Sequence, residues 1–253
     1  MTLTIAAHAR LVRCACLILL CLPALALAGE PLTLHAADGV AVYGTLSRAQ
    51  PHGRSIALLF HQAHANRHEY DSVVPALQKL GFDTLAIDQR SGGNLFGGRN
   101  ETVAKLGASA DYLAALPDLE AALAWARAQH YARIVAVGSS YSSSLVIMLA
   151  AKHPQGLGAI ASFSPGEYFD DKNQIKQAAA KVALPFYITT DPDEAGDVAE
   201  VLRDAHGANV VHYQPKVGVH GASTLVAARD PGGWQANLAS FTAFLRGLPA
   251  PAH

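Results

Sequence analysis

The sequence predicts an α/β domain: a mostly parallel sheet covered by helices on both faces. Three observations predict it. Short apolar runs bounded by turn residues, among them Ile56–Phe60, Ile134–Val137 and Pro185–Thr190, read as buried strands. Stretches of helical periodicity alternate with these runs. The chain has 253 residues, 51% hydrophobic and 15% charged, which suffices for one sizeable core.

Residues 1–28 stand apart from this pattern. Arg10 and Arg13 form a positive start, Cys14–Leu27 is almost wholly apolar, and Ala26-Leu27-Ala28 fits a small-x-small cleavage site before Gly29. The apolar run is short for a membrane span. The segment predicts a signal peptide, a single domain over 29–253, and a periplasmic or secreted protein without stable membrane insertion once the segment is cut. All three cysteines, Cys14, Cys16 and Cys21, lie in it, so the mature chain is expected to need no disulfide and no cysteine chemistry. Its loss takes the formal charge from -1 to -3, since it holds two arginines and no acid. That balance argues against nucleic-acid and basic membrane-surface partners.

In the mature chain, Pro31–His35 and Val40–Leu46 flank Asp38-Gly39, a hairpin signal. Ile56–Phe60 is the next strand, followed by a loop and a helix around Tyr70–Leu80 that Gly81 stops. Asp83–Asp88 is a strand, and Ser91–Ala110 is the least regular piece, a candidate lid or pocket rim. Tyr112–His130 is helical, with Pro117 marking a break or a new start. After the strand Ile134–Val137 comes the helix Leu145–Lys152. Gly158–Phe163, Pro185–Thr190 and Asn209–Tyr213 are strands. The helices Asn173–Lys181 and Glu194–Ala205 separate them, and Trp234–Arg246 closes the chain.

Between Val137 and Leu145 the sequence reads Gly-Ser-Ser-Tyr-Ser-Ser-Ser. Strand, sharp turn and helix, with a serine at the tip and small residues two positions to either side, is the layout of a nucleophile elbow. Sterics select Ser140: Gly138 and Ser142 occupy the two crowded places, whereas Ser139 would follow Val137 of the strand and Ser142 already lies in the helix. The plainer reading is a hydroxyl-capped helix start. Ligands gather at the carboxyl ends of strands in an open parallel sheet, and those ends carry four informative loops: His61–Asn66, Ser140, Asp191–Glu194 and His220.

A serine needs a base to take its proton, and histidine suits that role. His220, between Val219 and Gly221 after the last strand, stands out by position from the other histidines, 12 in all. A base needs an acid to hold its tautomer. Asp193 sits where a short turn after Pro185–Thr190 would aim a carboxylate at His220, and Asp191 is the alternative; Asp191 or Glu194 would serve as helix caps. The oxyanion of acyl transfer needs N–H donors: Tyr141, after the serine, supplies one, and Gln62 or Ala63 the other.

The order Ser140, Asp193, His220 resembles the nucleophile–acid–base order of the α/β-hydrolase superfamily. The stretch FHQAHANRHEY…LQKLGFDTLAIDQRSGG resembles its dienelactone-hydrolase-like members over most of the chain after Pro31. There an H-G-x motif follows the third strand and a D-x-R-G-x-G-like motif the fourth. Here these read His61-Gln62-Ala63 and Asp88-Gln89-Arg90-Ser91-Gly92-Gly93. Gln62 replaces a Gly, and the nucleophile is Ser140 where dienelactone hydrolases proper have Cys. The resemblance therefore implies a serine hydrolase of more general esters; no cofactor is expected, and the 7% aromatic content with no large inserted cap points to a small or medium substrate. The same triad fits a peptidase or amidase, and the fold alone fits a binding protein that lost activity.

Three further features carry less. His61, His64 and His68 have helix-like spacing for a metal, but straddle a strand end and a loop, so no metal is expected there. Asn100-Glu101-Thr102 is a short glycosylation pattern. Gly92-Gly93 and Gly97-Gly98 lack the strand-to-helix setting of a nucleotide site.

Overall fold

The computed structural model describes residues 29–205, 207 and 209–250. The expected signal segment, with its three cysteines, lies outside the described residues, as does the end of the tail.

The first hairpin, β1 (Glu30–His35) and β2 (Ala41–Ser47), turns at Gly39 with φ 88°. Next come β3 (Ser55–Phe60), α1 (Val74–Lys79) and β4 (Phe82–Ile87). An excursion holding α2 (Glu101–Leu106) leads to α3 (Leu116–Ala128). The chain then alternates: β5 (Arg133–Ser139), α4 (Tyr141–Lys152), β6 (Ala159–Phe163), α5 (Gln174–Ala179), β7 (Phe186–Thr189), α6 (Ala195–Val201) and β8 (Val210–His212). It closes with α7 (Trp234–Gly247). The eight strands form one sheet in the order β1-β2-β4-β3-β5-β6-β7-β8, antiparallel through β2–β4 and parallel from β4 to β8.

The central strands are buried on both faces, and their side chains alternate between two cores. Leu58, Phe60, Ile134, Ala136 and Ile160 pack with α3 and α4 through Leu119, Leu145 and Ile147. Their sequence neighbours Leu59, Val135, Val137 and Ala161 pack with α1 and α7 through Leu77, Phe241 and Leu245. One element bears out the sequence reading and one differs from it. Pro117 stands at the start of α3, behind a separate 3-10 turn at Tyr112–Ala115, because proline fits the first turn of a helix and not its interior. Within 91–110 the chain forms α2, whose start is capped by the Asn100 side chain accepting from Val103 N–H and whose end is closed by Gly107 at φ 87°. Asn100 is 1% exposed, so its amide is an internal cap.

Candidate active site

Ser140 joins β5 to α4 at φ 56°, ψ -128°. Such backbone costs of order 1–3 kcal/mol and persists only where the surroundings hold it. They do. Ser140 N–H donates to Phe163 O at 2.8 Å, and its own carbonyl accepts from Ser143 N–H at 2.8 Å and Ser143 Oγ at 2.6 Å. A Cβ on Gly138 would stand 2.4 Å from Ser142 O, so glycine is required there. Ser142, where the pattern usually has glycine, donates from Oγ to His61 O at 2.5 Å and so ties the helix start to the loop after β3.

The loop after β8 brings His220 over this turn. His220 Nε2 lies 2.7 Å from Ser140 Oγ, and Nδ1 lies 2.6 Å from Glu194 Oε1. Glu194 Oε2 accepts from Thr190 Oγ1 at 2.7 Å, and Ser164 Oγ lies 3.1 Å from that hydroxyl while accepting from Gly221 N–H at 2.9 Å. Gly221 has φ 70°, and a Cβ there would meet Ser139 Oγ at 2.5 Å, so close approach and backbone both call for glycine.

The carboxylate facing His220 is thus Glu194, which corrects the expectation of Asp193 or Asp191. Pro192 starts a 3-10 turn, Pro192–Glu194, and Asp191 caps it by accepting from Asp193 N–H at 3.0 Å. Asp193 ends on the exposed side of the turn, and Glu194, one residue later and one methylene longer, reaches back to the sheet edge. Burial alone would push the Glu194 carboxyl up; the His220 and Thr190 hydrogen bonds outweigh it and bring its pKa down to about 2. The same bond to Glu194 raises His220 above its usual 6.5, against the opposing effect of burial.

The whole architecture recurs in solved structures. An esterase from Pyrococcus furiosus superposes with a TM-score of 0.64 at 16% identity, over 87% of this chain and 92% of its own. A dienelactone hydrolase from Anabaena variabilis gives 0.64 at 17%, over 87% and 97%. A lidless α/β serine hydrolase from Xanthomonas campestris gives 0.61 at 18%, over 89% and 98%. This is the α/β-hydrolase fold. No protein-family model matches the sequence, and no curated protein matches it.

In an α/β-hydrolase fold the loop after the third strand faces the elbow, and here it is held from three directions. Tyr141 N–H and Ala63 N–H are free of any hydrogen-bond acceptor among the described residues. Gln62 N–H is not: it donates to Glu69 Oε2 at 2.7 Å, which removes Gln62 from the expected donors. The Gln62 side chain instead reaches Glu69 Oε1 at 3.3 Å and Ser223 Oγ at 3.0 Å.

Glu69 was not singled out in the sequence. It is 1% exposed, accepts from Ser139 Oγ at 2.7 Å, and burial raises its pKa to about 7 against those hydrogen bonds. Ser139 Oγ in turn accepts from Ala222 N–H at 2.8 Å. One buried carboxyl therefore links the β3 loop, the elbow strand and the loop of His220. In the sequence it is only a Glu between His68 and Tyr70; in the structure it sits in a 3-10 turn, Arg67–Tyr70.

The D-x-R stretch is scaffolding. Asp88 accepts from Arg67 N–H and Glu101 N–H, both at 2.8 Å, and Arg90 donates to Asp118 Oδ1 at 2.7 Å and pairs with Asp38. Gln89 Oε1 accepts from His61 N–H at 2.9 Å, and its amide reaches Tyr141 Oη and Ser142 Oγ. The three histidines do not converge. Both nitrogens of buried His61 are engaged, Nδ1 with Gln62 O and Nε2 with Gln89 N–H, and burial lowers its pKa to about 4. His68 pairs with Asp71.

Proposed function

We propose that this protein is an exported serine hydrolase of carboxylic esters, with Ser140, His220 and Glu194 as its catalytic triad. The observation that carries the reading is the line of contacts from the Ser140 hydroxyl, on strained backbone, through both nitrogens of His220 to a carboxylate held ionised. His220 takes the Ser140 proton as Oγ attacks the ester carbonyl. Tyr141 N–H and Ala63 N–H receive the charge on the tetrahedral intermediate. His220 returns the proton to the leaving alcohol, and water repeats the cycle on the acyl-enzyme. Glu194 keeps the Nδ1–H tautomer and stabilises the imidazolium. No step calls on a cofactor.

Neighbours of this fold include esterases, which supports an ester over an amide substrate. The test is hydrolysis of 4-nitrophenyl acetate and of a matched anilide, for the wild type and Ser140→Ala. Ester turnover lost in the variant supports the reading; anilide turnover of equal efficiency would shift it to an amidase, and neither activity would favour a binding protein. Export rests on residues 1–28 and predicts a mature protein starting at Gly29 in the periplasm or medium. Mass measurement of the secreted chain checks it; a full-length mass in the cytoplasm would end it.

A further inference from the structure

Beside the elbow lies a cleft of about 650 Å³. One wall is Tyr112 and Leu113, at the close of the excursion between β4 and α3; the other is Tyr168 and Phe169, on the loop after β6. Both walls are tied to the elbow. The Tyr112 ring stacks on that of Tyr141, the residue after Ser140, with centroids 4.5 Å apart and planes 15° from parallel. Tyr168 Oη donates to Ser164 O at 2.8 Å, on the residue whose hydroxyl accepts from Gly221 N–H. Burial pushes the Tyr168 phenol up to about 12. Tyr112 and Leu113 are 37% and 41% exposed, apolar surface left free at the mouth.

The charged part of the lining has one sign, and Gln174 is its neutral amide. Asp111, Asp170 and Asp171 are on it, and no lysine, arginine or histidine is. Lys172, next in the chain, turns its ammonium to Glu167 O and Phe169 O, at 3.1 Å and 2.7 Å. Flat aromatic walls favour a ring, by offset stacking worth more than its area alone. Carboxylates at the mouth repel a second carboxylate, and salt screens that repulsion.

We infer that this cleft binds the uncharged aromatic ring of an ester substrate and rejects a ring that carries a carboxylate. The inference rests on the ester-hydrolase reading and adds a substrate class to it. It also separates this site from any built for an anionic ester.

The experiment is kcat/KM of the purified protein for ester pairs of matched intrinsic reactivity. Methyl 3-phenylpropionate is set against methyl butyrate, and 2-phenylethyl acetate against butyl acetate, so the ring is offered on either side of the ester. Methyl 3-(4-carboxyphenyl)propionate and 2-(4-carboxyphenyl)ethyl acetate supply the charged rings. Fluorophosphonate titration counts competent sites in every preparation. In at least one pair the ring should gain about tenfold, and its carboxylate should lose about tenfold at low salt, with part of that loss recovered in 0.5 M salt. Tyr112→Ala should cut the ring preference roughly threefold to tenfold per titrated site. Equal rates within both pairs, a charged ring accepted as readily as a neutral one, or a preference untouched by Tyr112→Ala would overturn the substrate class while leaving the hydrolase reading in place. A folded protein that neither titrates nor turns over any ester would overturn both.

Discussion

Two glutamates flank the Ser140–His220 pair, and their surroundings drive them in opposite directions. Glu194 is partly exposed, with Oε1 on His220 and Oε2 on Thr190, and its pKa falls to about 2. Glu69 is enclosed beneath the elbow among neutral donors, and its pKa rises to about 7. Both carboxyls are desolvated. What separates them is a partner able to carry positive charge in direct contact, which Glu194 has and Glu69 lacks. One is suited to steady an imidazolium. The other is suited to hold three loops together without adding a second full charge under the nucleophile.

The comparison breaks first at Glu194. Glu194→Gln keeps the shape but loses the charge and the tautomer control, so kcat should fall by about 10³ to 10⁴. Asp193→Asn, one residue away and exposed, should stay within about twofold. Equal losses at both positions would put the acid back in doubt, and steady-state kinetics of the two variants decides it.

Stability against pH sharpens it next. Glu69 has a folded pKa near 7 against an ordinary 4.5, so its contribution is full below 4.5 and is lost as pH rises through about 7. The loss is roughly 3 kcal/mol, several degrees in Tm for a domain of this size. Glu194 has the opposite sign: its contribution is present above 4.5 and is lost as pH falls toward 2. His61, lowered to about 4, adds a rise between pH 4 and 6.5 that wild type and Glu69→Gln share, so the Glu69 decline is read as the difference between their thermal melts, which should fall between pH 4.5 and 7.5. A difference that stays constant with pH would deny Glu69 its raised pKa. His220, raised by Glu194, must be neutral to act, so log kcat/KM should climb with pH through a midpoint above 6.5 and level off. A midpoint below 6.5 would contradict the pairing.

The smallest effect is expected at Gln62. Its backbone N–H is already committed to Glu69, so Gln62→Gly removes only side-chain bonds to Glu69 and Ser223. Activity should stay within about threefold, with a small drop in Tm. A loss above a hundredfold would mean that Gln62 takes part in catalysis.

The same contrast explains what the sequence made legible. All eight strands could be read: the central ones, buried on both faces, need apolar runs, and β1 and β2 flank the Asp38-Gly39 turn signal. Ser140 could be singled out because its turn is sterically constrained: Gly138 has no room for a Cβ. His220 followed from its place after the last strand. The acid did not follow in the same way. Three carboxylates lie within four residues, and a 3-10 turn started by Pro192 decides which faces inward; composition is blind to that rotation. Glu69 was illegible for a related reason. A glutamate in a loop is normally solvated, and only tertiary closure shows Gln62, Ser139 and Ala222 gathered around it. The α2 helix was hidden by glycines on either side, although Asn100 and Gly107 are its cap signals.

The proposed triad requires Ser140 to be an activated nucleophile. The most direct measurement is reaction of the purified protein with a fluorophosphonate, with the modified residue mapped by mass spectrometry beside Ser140→Ala and Glu194→Gln. A single adduct is expected on Ser140, absent from the first variant and formed far more slowly in the second. A well-folded protein that forms no adduct, or forms it on another residue, would contradict it.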